Sequence, residues 1–222
     1  MIATLLDELD AKGFAFVPHA IQPGALAELG SAFTESGTAG QRHLGDHPAV
    51  LCTLEDPSLK FAVSAILPQN AFAFKATLFD KSAVTNWLVA WHRDLSIPIA
   101  NPIDTSGWHS ASVKDGVHYV QPPQDLLTRI LAMHINIDPC DVQDGPLRVL
   151  PGSHRLKESR NATHEPGELL LGSAGDAWRM RPTLLHASSK SGSSRRRRVL
   201  HIEFADFDLP LGMEWHRRVP LG

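Results

Sequence analysis

The spacing of apolar residues changes near residue 71 of this 222-residue chain, and that change restricts the possible folds more than any other feature. Before it, helical spacing predicts a helix that ends near Gly13, a second that begins at Pro23-Gly24 and a third over residues 57–67. After it, short apolar segments alternate with turn residues, as strands do. Helices followed by strands favour a mainly β fold, a double-stranded β-helix (jelly-roll or cupin-like) buttressed by N-terminal helices.

We expect the chain to form one domain over residues 1–222, because no shift in composition marks a linker. Residues 1–70 would form a mainly helical buttress and residues 71–208 the β-helix core. Three stretches rich in turn-forming or polar residues are expected to be loops: 36–50, 98–124 and 155–170. The middle stretch is long enough to act as a lid or a substrate loop.

Composition and charge exclude several classes of protein. The chain is 43% hydrophobic and 20% charged, which is typical of a compact domain and not of a disordered or coiled-coil chain. Its formal net charge of −3 provides no electrostatic attraction to nucleic acid or anionic membranes. The N-terminus has no basic start, and no apolar run of about 18 residues occurs. With only two cysteines, we expect a cytoplasmic monomer or homodimer without nucleic-acid or membrane partners.

The segment Trp91-His92-Arg93-Asp94 is the strongest chemical signal in the sequence. It ends an apolar run, and side chains at positions i and i+2 of a strand point to the same face, so His92 and Asp94 can reach one ion. His186 also follows an apolar segment and supplies a second imidazole. Two imidazoles and one carboxylate form the facial triad of non-haem Fe(II) sites. The competing interpretation is a surface His–Asp pair, but delivery by buried strands favours a metal site.

Several segments together resemble the phytanoyl-CoA dioxygenase superfamily. They are Phe79-Asp80-Lys81, Asn86-Trp87, Trp91-His92-Arg93-Asp94, Asp144-Gly145-Pro146-Leu147-Arg148-Val149-Leu150-Pro151-Gly152-Ser153-His154 and His186-Ala187-Ser188. The resemblance covers residues 10–208. It implies an Fe(II)- and 2-oxoglutarate-dependent dioxygenase that oxidises a small-molecule substrate, with hydroxylation favoured, and releases succinate and CO2. It does not identify the substrate.

The run Arg195-Arg196-Arg197-Arg198 divides by strand alternation into two faces. One face carries Arg195, Arg197, Val199, His201 and Glu203, and the other carries Arg196, Arg198, Leu200, Ile202 and Phe204. The apolar face is expected to pack under the N-terminal helices. The first face would then line the interior, where a buried arginine requires an anionic partner.

The resemblance assigns a partner to one of these arginines. Arg197 lies eleven residues after His186, where the family places the arginine that binds the far carboxylate of 2-oxoglutarate. Ser188 matches the serine that supports the same carboxylate. Arg195 is the alternative if the strand register is shifted by two residues, and the other arginines would then be surface charge.

Four further residues are candidates for binding cosubstrate or substrate. Lys75 and Thr77 lie where related enzymes place polar contacts. His134 shares the interior face of a central strand, although a buried structural histidine fits its position equally well. Trp108, in the expected loop at 98–124, would wall the pocket or simply pack against the core.

Three alternative functions compete with the dioxygenase function on the sequence alone. A halogenase would need a small residue in place of the carboxylate ligand, and Asp94 is present. A non-catalytic member of the same fold would bind metal or 2-oxoglutarate without turnover. Nucleic-acid oxidation would rely on the arginine run, which the acidic net charge disfavours.

Overall fold

A computed structural model of the chain describes residues 2–33, 38–101, 107–156 and 166–221, with side chains from residue 6 onward. Five α-helices occur in these residues: α1 (Ile2–Lys12), α2 (Pro23–Ala32), α3 (Pro48–Leu54), α4 (Pro57–Ser64) and α5 (Gln124–Leu127). The strands are β1 (Phe14–Val17), β2 (Gly40–Gln41), β3 (Phe72–Lys81), β4 (Val89–His92), β5 (Ile97–Ile99), β6 (His109–Lys114), β7 (Val117–Gln121), β8 (Leu131–Asn136), β9 (Leu147–Val149), β10 (Glu168–Leu170), β11 (Ala177–Met180), β12 (His186–Ser188), β13 (Arg197–Ala205) and β14 (Val219–Pro220).

These strands form three antiparallel sheets. The large sheet has the order β1-β11-β8-β13-β3-β14, with β2 also paired to β3, and the small sheet has the order β10-β9-β12-β4. Strands distant in sequence are neighbours in both sheets, as in a double-stranded β-helix. The prediction of a mainly β fold of this type is therefore confirmed.

Alternation along β13 decides which face of the large sheet meets the helices. Leu200, Ile202 and Phe204 are fully buried in a core cluster that also contains residues of α1 to α4. The intervening His201 and Glu203 are buried on the opposite face, and His201 lines the space between the large and small sheets. The predicted division of this strand into an apolar face and an interior polar face is correct, because strand side chains alternate.

The expectation of an irregular loop over 98–124 is wrong for most of its described residues. Strands β5, β7 and β6 form a third antiparallel sheet, and β6 and β7 are joined by the two residues Asp115-Gly116. Both residues have positive φ angles, 49° and 81°, as a tight two-residue hairpin requires. Residues 102–106 of the expected loop lie outside the described residues.

The expected loop over 36–50 is also partly wrong, because α3 begins inside it at Pro48. Proline at the first helical position has the φ angle that a helix needs and lacks an N–H that would go unsatisfied there. The His47 ring accepts a hydrogen bond from the Ala49 backbone N–H, which caps the helix. In the third expected loop, β10 spans Glu168–Leu170, and residues 157–165 lie outside the described residues.

A second apolar cluster joins the third sheet to the large sheet through residues such as Phe74, Ile97 and Trp215. No helix among the described residues is long and apolar enough to cross a membrane.

Candidate metal centre and anion pocket

A cavity of about 80 Å³ lies between the large and small sheets. The large sheet contributes side chains from β3, β8 and β13, and the small sheet from β4, β9 and β12. The residues that line it are Phe79, Trp87, Val89, His92, Asp94, His134, Leu147, His186, Ser188, Arg197 and His201. The cavity thus combines apolar walls with a small set of convergent polar groups, as ligand sites do.

His92, Asp94 and His186 meet in this cavity, each offering one ligand atom within 4.8 Å of the others. Asp94 lies 3.7 Å from Nε2 of His92 and 3.5 Å from Nε2 of His186. His92 and His186 are direct partners in the β4–β12 ladder, so the sheet itself brings the two rings together. Because a bond from a metal ion to nitrogen or oxygen is about 2 Å long, donor atoms up to about 4 Å apart can share one ion.

Backbone carbonyls orient both histidine rings in the same way. Nδ1 of His92 lies 2.9 Å from the Ala90 carbonyl oxygen, and Nδ1 of His186 lies 2.9 Å from the Leu184 carbonyl oxygen. A carbonyl only accepts hydrogen bonds, so each Nδ1 must carry the proton. Each Nε2 faces Asp94, and in the neutral tautomer it carries the lone pair; metal-binding histidines are held in this manner.

The charge states of the cluster also suit a metal ion. Burial alone would raise the pKa of Asp94, but the charges of His186, Lys75, His201 and His92 hold that pKa well below its usual value. Burial lowers the pKa of His186, and Asp94 opposes this only partly. At neutral pH the site therefore holds an ionised carboxylate beside a neutral imidazole, the forms that bind metal.

The four consecutive arginines differ in their partners. Three of them each form an ion pair with a carboxylate: Arg195 with Asp144, Arg196 with Asp80 and Arg198 with Asp138. Arg197 is only 4% exposed and points into the cavity, yet it pairs with no carboxylate among the described residues.

The described surroundings of Arg197 leave its charge uncompensated. Its Nε has no hydrogen-bond partner, and its one described hydrogen bond runs 3.9 Å to Sγ of Cys140. A buried guanidinium in this state requires an anion to offset the cost of its desolvation. The cavity thus holds a buried cation without a described carboxylate partner beside the cluster of His92, Asp94 and His186, and Ser188 also lines it.

The remaining candidates from the sequence lie in different places. His134 lines the cavity, where its Nδ1 lies 3.4 Å from Nδ1 of His201, and burial lowers its pKa well below the usual value. Thr77 is buried beside His201 in the β3–β13 ladder but does not line the cavity. Trp108 packs against the second apolar cluster and also lies outside the cavity lining. His134 therefore lies in the cavity lining, and of the two alternatives for Trp108 the structure shows packing against the core.

Two interior residues were not among the sequence candidates. Nε2 of His201 lies 3.7 Å from both Asp94 and Glu203 and has no hydrogen-bond partner among the described residues. Glu203 forms an ion pair with Lys75 at 2.5 Å. The alternation of β13 places both on the interior face, but it does not show that they approach Asp94. Their distance from the metal cluster depends on how the two sheets pack.

The ion pair between the half-buried Lys75 and the buried Glu203 gives a prediction about stability. Changing Lys75 to Met would leave the Glu203 carboxylate buried without its counterion, which costs about 3–5 kcal/mol of unfolding free energy. Urea denaturation measures this loss. Lys60→Met is the matched control, because Lys60 pairs with the exposed Glu55 and its loss should cost no more than about 1 kcal/mol. Equal, small losses in both variants would show that Glu203 does not depend on Lys75.

Comparison with known sequences identifies the family. The sequence profile of the phytanoyl-CoA dioxygenase (PhyH) family matches residues 5–199. The chain belongs to the phytanoyl-CoA dioxygenase family. The suspected resemblance is thus confirmed, and the metal cluster and Arg197 both lie within the matched residues. No curated protein sequence matches the chain.

Solved structures share the fold of this phytanoyl-CoA dioxygenase family member. The epimerase SnoN, in complex with Fe3+, alpha ketoglutarate and nogalamycin RO, is 16% identical with a TM-score of 0.68, over 98% of this chain and 94% of SnoN. AviO1 from Streptomyces viridochromogenes Tue57 is 19% identical with a TM-score of 0.68, over 95% of this chain and 97% of AviO1. HygX from Streptomyces hygroscopicus, with nickel and 2-oxoglutarate bound, is 13% identical with a TM-score of 0.64, over 91% of this chain and 85% of HygX.

Proposed function

We propose that this chain is an Fe(II)- and 2-oxoglutarate-dependent dioxygenase that oxidises a small-molecule substrate. The observation that carries the proposal is the position of Arg197, a buried arginine without a carboxylate partner among the described residues, in the same cavity as His92, Asp94 and His186. A set of three metal ligands alone fits many functions. Three metal ligands beside a buried cation that lacks a carboxylate partner fit a cosubstrate that carries two carboxylates.

The residues present fit the iron ion. The two imidazoles and one carboxylate are the ligand set typical of non-haem Fe(II), and they leave other coordination positions for cosubstrate and oxygen. His92, Asp94 and His186 would hold the ion. Solved structures of family-like fold contain iron or nickel together with 2-oxoglutarate, which supports the same assignment for this chain.

Arg197 and Ser188 would bind the far carboxylate of 2-oxoglutarate. The guanidinium plane suits a two-point contact with a carboxylate, and such contacts are strong where water is excluded. Phe79, Trp87 and Leu147 are apolar residues of the same cavity lining and would limit water near the ion pair. Arg197 and Ser188 would thus orient the cosubstrate, so that its other end faces His92, Asp94 and His186.

Bound iron and 2-oxoglutarate would supply the oxidising chemistry, with release of succinate and CO2. The chain itself supplies the geometry of the site and its charge balance. Because Asp94 is intact, hydroxylation or a related oxidation is favoured over halogenation. His201 and His134 line the same cavity and would face the substrate, because neither the metal nor the cosubstrate would use them.

Succinate formation tests the proposal. Purified protein with Fe(II), oxygen and 2-oxoglutarate is screened against a library of small molecules, and we expect succinate to rise above the background with a subset of them. Tight binding of 2-oxoglutarate without succinate from any compound would favour a non-catalytic binding protein. Failure to bind either metal or 2-oxoglutarate would contradict both functions.

A further inference from the structure

Lys81 is a second buried cation near the proposed anion site. It is the last residue of β3, is 1% exposed, and is the direct partner of Arg197 across the β3–β13 ladder. No ion pair joins it to a carboxylate among the described residues. Placing two cations side by side in a dry region is unfavourable, so the arrangement needs a specific compensation.

Uncharged oxygen atoms provide part of that compensation. The Lys81 ammonium donates to Ser188 Oγ, to the Ser189 carbonyl and, at 3.3 Å, to the Gly145 carbonyl. Three acceptors match its three N–H donors. The ring of Trp87 lies 5.3 Å from Nζ and also favours the charged form.

These contacts determine what Ser188 can offer to the cavity. Lys81 does not line the cavity, whereas Ser188 does. Because Lys81 donates to the Ser188 oxygen, the hydroxyl proton must point to a different acceptor. Within the described residues, its acceptors are the Gly145 and Ser189 carbonyls at 3.4 and 3.5 Å, which is too long for a strong hydrogen bond. The proton is therefore available to an anion in the cavity.

We propose that Lys81 is a positioning residue that holds Ser188 as a hydrogen-bond donor to the anion bound by Arg197. Its charge also polarises the serine hydroxyl, because hydrogen bonds in series strengthen one another. The inference rests on the proposed function for the identity of the anion, the far carboxylate of 2-oxoglutarate. It adds a residue that acts through Ser188 without touching that carboxylate.

Protonation of Lys81 gives a readout that a purely structural residue would not change. Burial, followed by the charge of Arg197, lowers the pKa of Lys81 to about 7, and the nearby Cys140 thiol acts in the opposite direction. A bound carboxylate favours the charged ammonium. The affinity for 2-oxoglutarate should therefore be full below about pH 7 and should fall as the pH rises through this value.

Calorimetric titration of 2-oxoglutarate into the Mn(II)-loaded protein tests this without turnover. At about pH 6, Lys81→Met should raise the Kd about tenfold, the loss expected for a hydrogen bond that involves a charged group. In the double variant Lys81→Met/Ser188→Ala, the Kd should rise by less than the product of the two single increases. Both substitutions act on the same contact, so their effects are not independent. Lys190→Met is the matched control: it removes an equal charge at an exposed position of the same segment and should leave the Kd unchanged.

The pH profile provides the second arm of the test. Wild-type affinity should be lower at about pH 8 than at about pH 6, and Lys81→Arg, which stays charged, should lose this dependence even if Lys81→Met does not fold. Two results would overturn the role of Lys81 and leave the proposed function standing. The wild type binds 2-oxoglutarate but the Kd is unchanged in Lys81→Met, or the pH profile is unchanged in Lys81→Arg. No wild-type binding at any pH would overturn the proposed function and this inference with it.

Discussion

Changing Asp94 to Ala should abolish both metal binding and succinate formation. Asp94 lies between Nε2 of His92 and Nε2 of His186, and it is the carboxylate that gives this ligand set its negative charge. Loss of a residue that only supports a metal ligand typically costs about 10–100-fold in affinity or activity, so loss of the ligand itself should exceed about 100-fold. Equilibrium dialysis with Mn(II) and an assay for succinate measure the two effects.

Asp115→Ala is the matched control for this experiment. Asp115 is an exposed carboxylate that pairs with Arg42 at the hairpin turn, and its removal changes the net charge by the same amount. We expect metal binding and turnover in that variant to equal those of the wild type. Full activity in Asp94→Ala, with the fold intact by circular dichroism, would contradict the assignment of the metal site.

Changing Arg197 to Ala should raise the KM for 2-oxoglutarate by at least tenfold. Removing the cation leaves the far carboxylate of the cosubstrate unpaired in a mostly dry cavity, a loss of about 2–5 kcal/mol. Steady-state kinetics at varied 2-oxoglutarate, supported by calorimetric binding, measure the effect. The free energy of unfolding should change less than the free energy of cosubstrate binding, because Arg197 has no carboxylate partner in the described structure.

Variants of the neighbouring arginines distinguish an effect on cosubstrate binding from an effect on stability. Arg198→Met should lower stability, since Arg198 binds Asp138 and the carbonyls of Gly30 and Phe33 at the end of α2, but the KM should stay near that of the wild type. Arg195→Met should also leave the KM near that of the wild type, because Arg195 already pairs with the buried Asp144 and does not line the cavity. A rise in KM for Arg195→Met in place of Arg197→Ala would mean that the strand register is shifted by two residues.

The sequence predicted the parts of the site that depend on local alternation. His92 and Asp94 follow one apolar run, and the alternation of β13 correctly separated Arg197 from Arg196 and Arg198. Along β13 a spacing of two residues fixes the face of the strand, whatever its neighbours are. Asp94 lies two residues beyond the end of β4, so its approach to His92 belongs to the segment that follows the strand. The mainly β fold followed from the same periodicity.

The sequence could not show contacts that depend on how sheets pack. Lys81 was noticed only as part of a motif, and its contacts with Ser188 and Gly145 join segments that are more than sixty residues apart. The approach of His201 to Asp94 depends in the same way on the spacing between sheets. The hairpin at Asp115-Gly116 is different: an Asp-Gly pair between β-rich segments is a strong local signal, which the prolines nearby obscured.

A crystal structure of the chain grown anaerobically with Mn(II) and 2-oxoglutarate tests the central claim most directly. We expect one metal ion bound by His92, Asp94 and His186, and one cosubstrate whose far carboxylate contacts Arg197 and Ser188. A metal ion at other residues, or 2-oxoglutarate bound away from Arg197 in an otherwise unchanged fold, would contradict it.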